Sequence, residues 1–279
     1  MSTPSDVGRS AGPSVASKVF AILSAFVPGE SRLTLSEISR RASLPLPTAH
    51  RLVGELVRYG GLEREDRRTY RIGVRLWELG SLAPMRGGLR ELAMPFMEDL
   101  YEATHENIQL AVLADLEGMV VEKISGRASV PIIARVGGRL PLYTTGVGKV
   151  LLAYGPQELV DRVIEAGLIR HASRTIVDPK RLIDDLERTR LRGYSVTRDE
   201  MTDGSVSVGA PIFGLDQQVV AALSVVVDSR IRDPERLAPP VRTAARGLSR
   251  QVVESWDRIE PIMPPTTAAT WSPEGTTDG

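Results

Sequence analysis

Between Thr34 and Gly73 the chain reads TLSEISRRASLPLPTAHRLVGELVRYGGLEREDRRTYRIG, and the order of signals in this segment leaves few folds open. Thr34 followed by Glu37 has capping-box spacing, in which each side chain satisfies an orphan backbone N–H of the other. Leu35, Ile38 and Ala42 then supply one buried helical face. Ser43-Leu44-Pro45 breaks that helix, because proline disfavours helix for the residue before it and suits the first turn of the next. A second helix is expected over Leu46 to Tyr59, where Ala49, Leu52, Val53, Leu56 and Val57 recur at helical spacing until Gly60-Gly61. Two short strands, Leu62 to Arg64 and Thr69 to Ile72, follow as a hairpin joined by Glu65-Asp66-Arg67-Arg68. Upstream, Ser14 to Phe26 places Val15, Val19, Ile22, Leu23 and Phe26 on one stripe. This supplies the third helix that so small a core needs, with Ser14 positioned to cap it. Helix, turn, helix and basic hairpin in unbroken order form the plan of a winged helix-turn-helix.

The charge distribution agrees with such a head. The whole chain carries 35 Lys+Arg and 35 Asp+Glu. Residues 1 to 75 hold 12 basic and 7 acidic side chains, whereas the remainder holds 23 and 28. A basic head on an acidic body is what a phosphate-binding module joined to a body that does not hold DNA looks like. The chain has 279 residues, enough for about two domains. The absence of cysteine excludes disulfides and thiolate metal sites. Residues 1 to 13 have no apolar signal-peptide core and are expected to form a disordered arm in a cytoplasmic protein, with no membrane partner.

After the wing, Val74 to Leu82 and Leu89 to Thr104 read as amphipathic helices separated by Pro84 and Gly87-Gly88, a plausible hinge. From Asn107 the period changes to two. NIQLAVL, a turn at Asp115 to Gly118 and MVVEKIS make a hairpin signature. A further strand is expected at Val130 to Val136, a buried helix start at Val147 to Ala153, and helices at Pro156 to Ala166 and Pro179 to Arg192. Strands resume at Tyr194 to Thr197, Ser205 to Ile212 and Gln218 to Val227, and Pro234 to Trp256 closes the domain as a helix. Residues 259 to 279, rich in Pro, Thr and Gly, are expected to be a disordered tail. An antiparallel sheet flanked by helices is an α+β layout in which a pocket can hold a small molecule.

These segments resemble the isocitrate lyase regulator (IclR) family of bacterial transcription factors, in order from about Ser14 to Ser255. The resemblance rests on the L-P-x-x-T-A-H-R-L run (Leu44 to Leu52), the wing end Thr69-Tyr70-Arg71-Ile72-Gly73, the stretch GGRLPLYTTGVGKVLLA (137 to 153), and RGYSVTRDEMTDGSVSVGAPIFGLDQQVVAALSV (192 to 225). It implies a winged helix-turn-helix DNA-binding domain at 14–75, a helical linker at 76–105, and a GAF-like effector domain at 106–258 that binds a small organic acid. It also implies repression rather than activation. Position by position, it points for the pocket to Ser129, Ile132, Gly146, Val147, Ser205, Ser207, Ser224 and Val226, with Thr197 beside them. The family commonly has His where this chain has Tyr143 and Cys where it has Ser207; both are expected close to the pocket.

Gly146-Val147-Gly148 opening a helix leaves N–H groups and a positive dipole end that favour a carboxylate, with the serines completing the hydrogen bonds. In the head, Thr48, Ala49, His50 and Arg51 fall in the part of the second helix that enters a major groove, where Arg51 can bond guanine bidentately. His50 and Arg51 can alternatively meet phosphate or pair with Glu55. Arg40 and Ser43 before that helix, and Arg67, Arg68 and Tyr70 in the wing, complete the expected DNA-facing set. The partners expected are therefore a pseudo-palindromic double-stranded operator, a small acid, and further copies of the chain as a dimer or dimer of dimers.

Enzymatic readings fail on spacing. GVGK at 146 to 149 lacks the upstream glycine and the hydroxyl residue of a phosphate-binding loop, having Tyr143 and Val150 there. Ser205-Val206-Ser207-Val208-Gly209 lacks the first glycine of a hydrolase elbow. His50, His105 and His171 have no metal-ligand spacing, so neither catalysis nor a cofactor is expected. The alternative reading is a small-molecule sensor or enzyme whose helical head contacts proteins.

Overall fold

A computed structural model describes residues 13–27, 30–66, 68–81, 88–126, 130 and 133–256. The expected arm at 1–13, apart from Pro13, and the tail at 259–279 lie outside the described residues, as do Pro84 and Gly87 of the expected hinge. The chain forms two compact units divided between Met85 and Arg86. Among the described residues, no helix is long and apolar enough to cross a membrane.

The first unit contains α1 (Val15–Ser24), β1 (Leu33–Thr34), α2 (Leu35–Arg41), α3 (Leu46–Arg58), β2 (Leu62–Arg64), β3 (Thr69–Ile72) and α4 (Val74–Ser81). Its ends are set by local chemistry. Ser14 accepts from Ser17 N at 3.1 Å to start α1. The Thr34–Glu37 box starts α2, with Thr34 N donating to Glu37 Oε2 at 2.8 Å and Glu37 N to Thr34 Oγ1 at 3.3 Å. Ser43 turns the chain at φ +52° before Pro45 opens α3. Ile22, Leu33, Ile38, Leu52, Val53 and Leu62 close the core. The wing sheet has the order β1-β3-β2; β1, two residues long, is too short to show in a hydrophobic pattern. Glu63 bonds Arg71 across the hairpin and accepts Val74 N at 3.0 Å, so a wing carboxylate caps α4.

The second unit begins with α5 (Leu89–Thr104), continues through β4 (Asn107–Ala114), β5 (Glu117–Ile124), β6 (Arg139–Pro141), α6 (Gly146–Tyr154), α7 (Gln157–Glu165), α8 (Pro179–Arg192), β7 (Ser195–Arg198), β8 (Ser205–Phe213) and β9 (Val219–Asp228), and ends with α9 (Ala238–Glu254). The stretch 76–105 thus comprises α4 in the first unit and α5, whose Leu89, Ala93, Met97 and Leu100 belong to the core of the second. The sheet order is β6-β5-β4-β9-β8-β7, antiparallel throughout. One face buries Ile108, Leu110, Leu223, Val225 and Ile212 against α5 and α9. The other carries α6, backed by α7 and α8, through Ala111, Ala222, Val147, Val150 and Leu152.

The strand expected at Val130 to Val136 does not form. Val130 and residues 133–136 are described and have no strand structure, and Pro131 and Ile132 lie outside the described residues. Val130 is held by a side chain, Asn107 Nδ2 donating to its carbonyl at 2.9 Å, and Ala134 packs with Val120 and Leu140 in a small separate cluster. The edge strand lies further on: Arg139–Pro141 pairs with residues 117–119.

Candidate functional site

In the head, α3 presents its surface at the end that follows Pro45. His50 and Arg51 are exposed and Thr48 is partly exposed. Glu55 is taken by Arg58, at 3.1 Å, rather than by Arg51 or His50. Arg40 is exposed, Ser43 is exposed in the turn, and Arg68 is exposed next to the wing tip; Arg67 lies outside the described residues. Asp66 accepts the N–H groups of Arg68 and Thr69 at 2.6 and 2.7 Å, which fixes that tip. One expected contact is corrected. Ala49 is 0% exposed, so its methyl group packs inside the head and offers nothing to a groove. Tyr70 is partly exposed, leaning on the head core with Arg64 5.8 Å from its ring centroid.

In the second unit the register stacks two rows of residues on the α6 face. Across β7, β8, β9 and β4 these are Ser195-Gly209-Ser224-Gln109 and, next to it, Thr197-Ser207-Val226-Asn107. The start of α6 sits directly on the first row. A Cβ on Gly209 would come within 2.6 Å of the Gly146 carbonyl oxygen, and one on Gly146 would collide with the Ser207 hydroxyl. Only glycine at both positions lets helix and strand approach this closely. Ser195 Oγ donates to the Gly146 carbonyl at 2.7 Å and locks the contact.

This contact aims a helix N-terminus across the second row. Thr145 caps α6, its Oγ1 accepting from Gly148 N at 3.1 Å and its carbonyl from Lys149 N at 2.8 Å. The N–H groups of Gly146 and Val147 are the first-turn donors that no helix can satisfy internally. The adjoining cavity, about 40 Å³, is floored by Thr197, Ser207 and Val226. That volume admits a group the size of a few waters. Thr144 and Thr145 form its helix side, Met201, Thr202 and Ser205 a loop wall, and Ile133, Ala134 and Leu140 an apolar wall.

The expected pocket residues separate accordingly. Thr197, Ser205, Ser207 and Val226 line the cavity. Ser205 donates its hydroxyl to the Thr202 carbonyl at 2.7 Å. Val147 buries its side chain in the core and has only its N–H to offer, as does Gly146. Ser224 is 0% exposed beneath the cavity, and its hydroxyl has no hydrogen-bond partner among the described residues. Ser129 and Ile132 lie outside the described residues. Tyr143, expected near the pocket, turns away from it: its hydroxyl donates to the Ile169 carbonyl at 3.0 Å and accepts Ile169 N at 2.9 Å, while burial pushes its pKa upward. The sequence reading missed Gln109, whose polar side chain on a strand buried on both faces was the available signal.

Behind the cavity, the lysine of the rejected GVGK motif has a structural role. Lys149 is 0% exposed, and its Nζ lies 2.6 Å from Asp185 Oδ2 and 2.7 Å from Glu200 Oε2. Arg188 approaches Asp185 at 3.1 Å, giving two cations for two carboxylates. Burial raises the pKa of Glu200 against the opposing pull of Lys149. The Glu200 carbonyl accepts from Thr175 Oγ1 at 2.6 Å, so the loop wall holding Met201 and Thr202 is anchored to α6, α8 and the 172–175 segment.

A winged helix-turn-helix unit followed by an α+β unit with an anion-oriented cavity defines a ligand-responsive transcription regulator. Comparison with known proteins agrees. Residues 15–66 match the family described as the IclR helix-turn-helix domain, and residues 84–250 match the bacterial transcriptional regulator IclR C-terminal family. The chain is 32% identical to the HTH-type transcriptional regulator KipR of Bacillus subtilis, over 84% of this chain and 95% of that one. It is 28% identical to the transcriptional repressor IclR of Escherichia coli, over 72% and 77%. An IclR homologue from Microbacterium hydrocarbonoxydans, solved in complex with 4-hydroxybenzoate, superposes with a TM-score of 0.78 at 35% identity, covering 86% of this chain and 99% of that one. The chain belongs to the IclR family and is a DNA-binding transcriptional regulator with an effector-binding C-terminal domain.

Proposed function

We propose that this regulator is a cytoplasmic repressor that binds a pseudo-palindromic operator as a dimer or dimer of dimers and is controlled by a small organic acid. The observation that carries the reading is the capped start of α6: its N-cap Thr145 lines a cavity that Thr197 and Ser207 floor, beside the unpaired first-turn N–H groups and positive dipole end of the helix. The carboxylate would sit against Gly146 and Val147, while Val226, Ile133, Leu140 and, by family resemblance, Ser129 and Ile132 hold the rest of the molecule. The 4-hydroxybenzoate complex of the Microbacterium homologue supports a carboxylic acid as the class.

The DNA-binding domain is proposed at 14–75. Arg51 and Thr48 read bases; His50, Arg40, Ser43, Arg68 and Arg67 meet phosphates. Residues 76–105 link it to the effector domain at 106–258, so that the bound acid shifts the spacing of the two recognition helices. Repression follows the family resemblance and the relative from Escherichia coli. Enriching random double-stranded DNA on the purified chain at two salt concentrations tests the reading. An inverted repeat, held more tightly at low salt, is expected. Recovery of no motif at either salt would return the weight to a sensor or enzyme whose head contacts proteins.

A further inference from the structure

The cavity holds a second polar feature that the carboxylate site does not use. Gln109 lines the cavity, is 4% exposed, and its carboxamide makes no hydrogen bond among the described residues. Directly opposite it in the ladder stands Ser224, 0% exposed, with its hydroxyl also unpartnered. Buried polar groups are nearly always paired, and an unpaired one costs stability. Ser224 lies sealed beside the cavity rather than in its lining, and the Gln109 carboxamide opens into the cavity, so Gln109 is the group a ligand reaches, with Ser224 behind it.

Their position fixes which end of the ligand they meet. The start of α6 rests on Gly209, and Gln109 lies two strands away in the same row, roughly 9.5 Å at the usual strand spacing of about 4.8 Å. A carboxylate held at α6 leaves the opposite end of a small acid facing Gln109. A carboxamide offers donors and an acceptor, and a serine hydroxyl offers both, so the complementary group is one that donates and accepts at once.

We infer that Gln109, backed by Ser224, is the specificity-determining residue of the effector site and selects an acid that carries a hydroxyl at the end remote from its carboxylate. This rests on the organic-acid reading given above. A site whose buried polar groups expect a partner discriminates against the analogue that lacks it, because binding that analogue leaves them unpaired.

The test uses the full chain and two matched pairs of acids, 4-hydroxybenzoate with benzoate and 3-hydroxypropanoate with propanoate, measured by isothermal titration on wild type and on Gln109→Met. Wild type is expected to prefer the hydroxylated member of at least one pair by about tenfold or more. In Gln109→Met that preference falls to about onefold while the unsubstituted acid keeps its affinity. The ligand-free variant is expected to melt at or above the wild-type temperature, since it loses an unsatisfied group and little volume. A hydroxyl preference retained in Gln109→Met, or absent from both pairs in wild type, overturns the inference and leaves the acid site standing. A fall of several degrees in the melting temperature of the ligand-free variant also overturns it, by showing that the amide has a structural partner. If none of the four acids binds wild type, the organic-acid reading fails and this inference fails with it.

Discussion

Lys149 shows how a single residue can look functional in the sequence and be structural in the molecule. Its ammonium is sealed from water between Asp185 and Glu200. Removing one partner from a buried ion network leaves an uncompensated charge, and breaking such pairs typically costs about 3–5 kcal/mol. Lys149→Met is accordingly expected to lower the unfolding free energy of the second unit by about that amount in urea titration; a loss within experimental error would mean that the carboxylates are neutralised without it. In the head, Arg51 is exposed on α3 and the nearby Glu55 is already paired with Arg58. Arg51→Ala is expected to cost about 1–3 kcal/mol on the operator and little on unrelated DNA. An equal loss on every sequence, in competition binding, would reassign the guanidinium to phosphate.

At the scale of elements, acid acts in one direction on the shifted carboxylates of the first unit and in both directions on those of the second. Glu37, Glu63 and Asp66 are held below the usual carboxylate range, chiefly because the N–H groups of Thr34, Val74 and Arg68 respectively bind the ionised form. A carboxyl lowered in the folded state contributes stability above its unfolded pKa of about 4, and that stability is lost as pH falls through the lowered value. In the second unit Asp203 and Asp228 are lowered likewise, by hydrogen bonds from Ser173 and Arg230, but burial raises Glu200 and Glu106, whose protonation offsets that loss as pH falls. Hydrogen exchange at stepped pH, corrected for intrinsic rates, is expected to show residues 34–74 losing protection below about pH 4 before residues 107–228 do; the reverse order would contradict this assignment.

Elements with strong periodicity or caps were legible in the sequence. α3 was placed to within one residue, and α5, β2 and β3 carry the expected bounds. The apolar run from Val130 to Val136 misled because, among its described residues, only Ala134 is buried, in a small cluster, while Ile133 and Val136 stay exposed and join no ladder. The direction of Tyr143 was equally hidden, since its partners at Ile169 arrive through tertiary packing. At the pocket, the glycines and serines were readable from the family pattern. Gln109 was not, because only the β4–β9 register brings it beside Ser224.

For the whole molecule, the basic head and acidic body fit the proposed division of labour, phosphate for the first unit and a small acid for the second. Neither unit alone needs both features. Membership of a regulator family that joins a helix-turn-helix domain to an effector-binding domain makes the coupling between them the central claim. Coupling of about 1–3 kcal/mol, or roughly 5–150-fold in affinity, is enough for a switch. The most direct test is the equilibrium affinity of the full chain for its enriched inverted repeat, read by fluorescence anisotropy with and without a saturating acid shown to occupy the cavity. An affinity changed by at least about fivefold is the predicted result. An affinity identical in both conditions, with the cavity filled, would contradict the account.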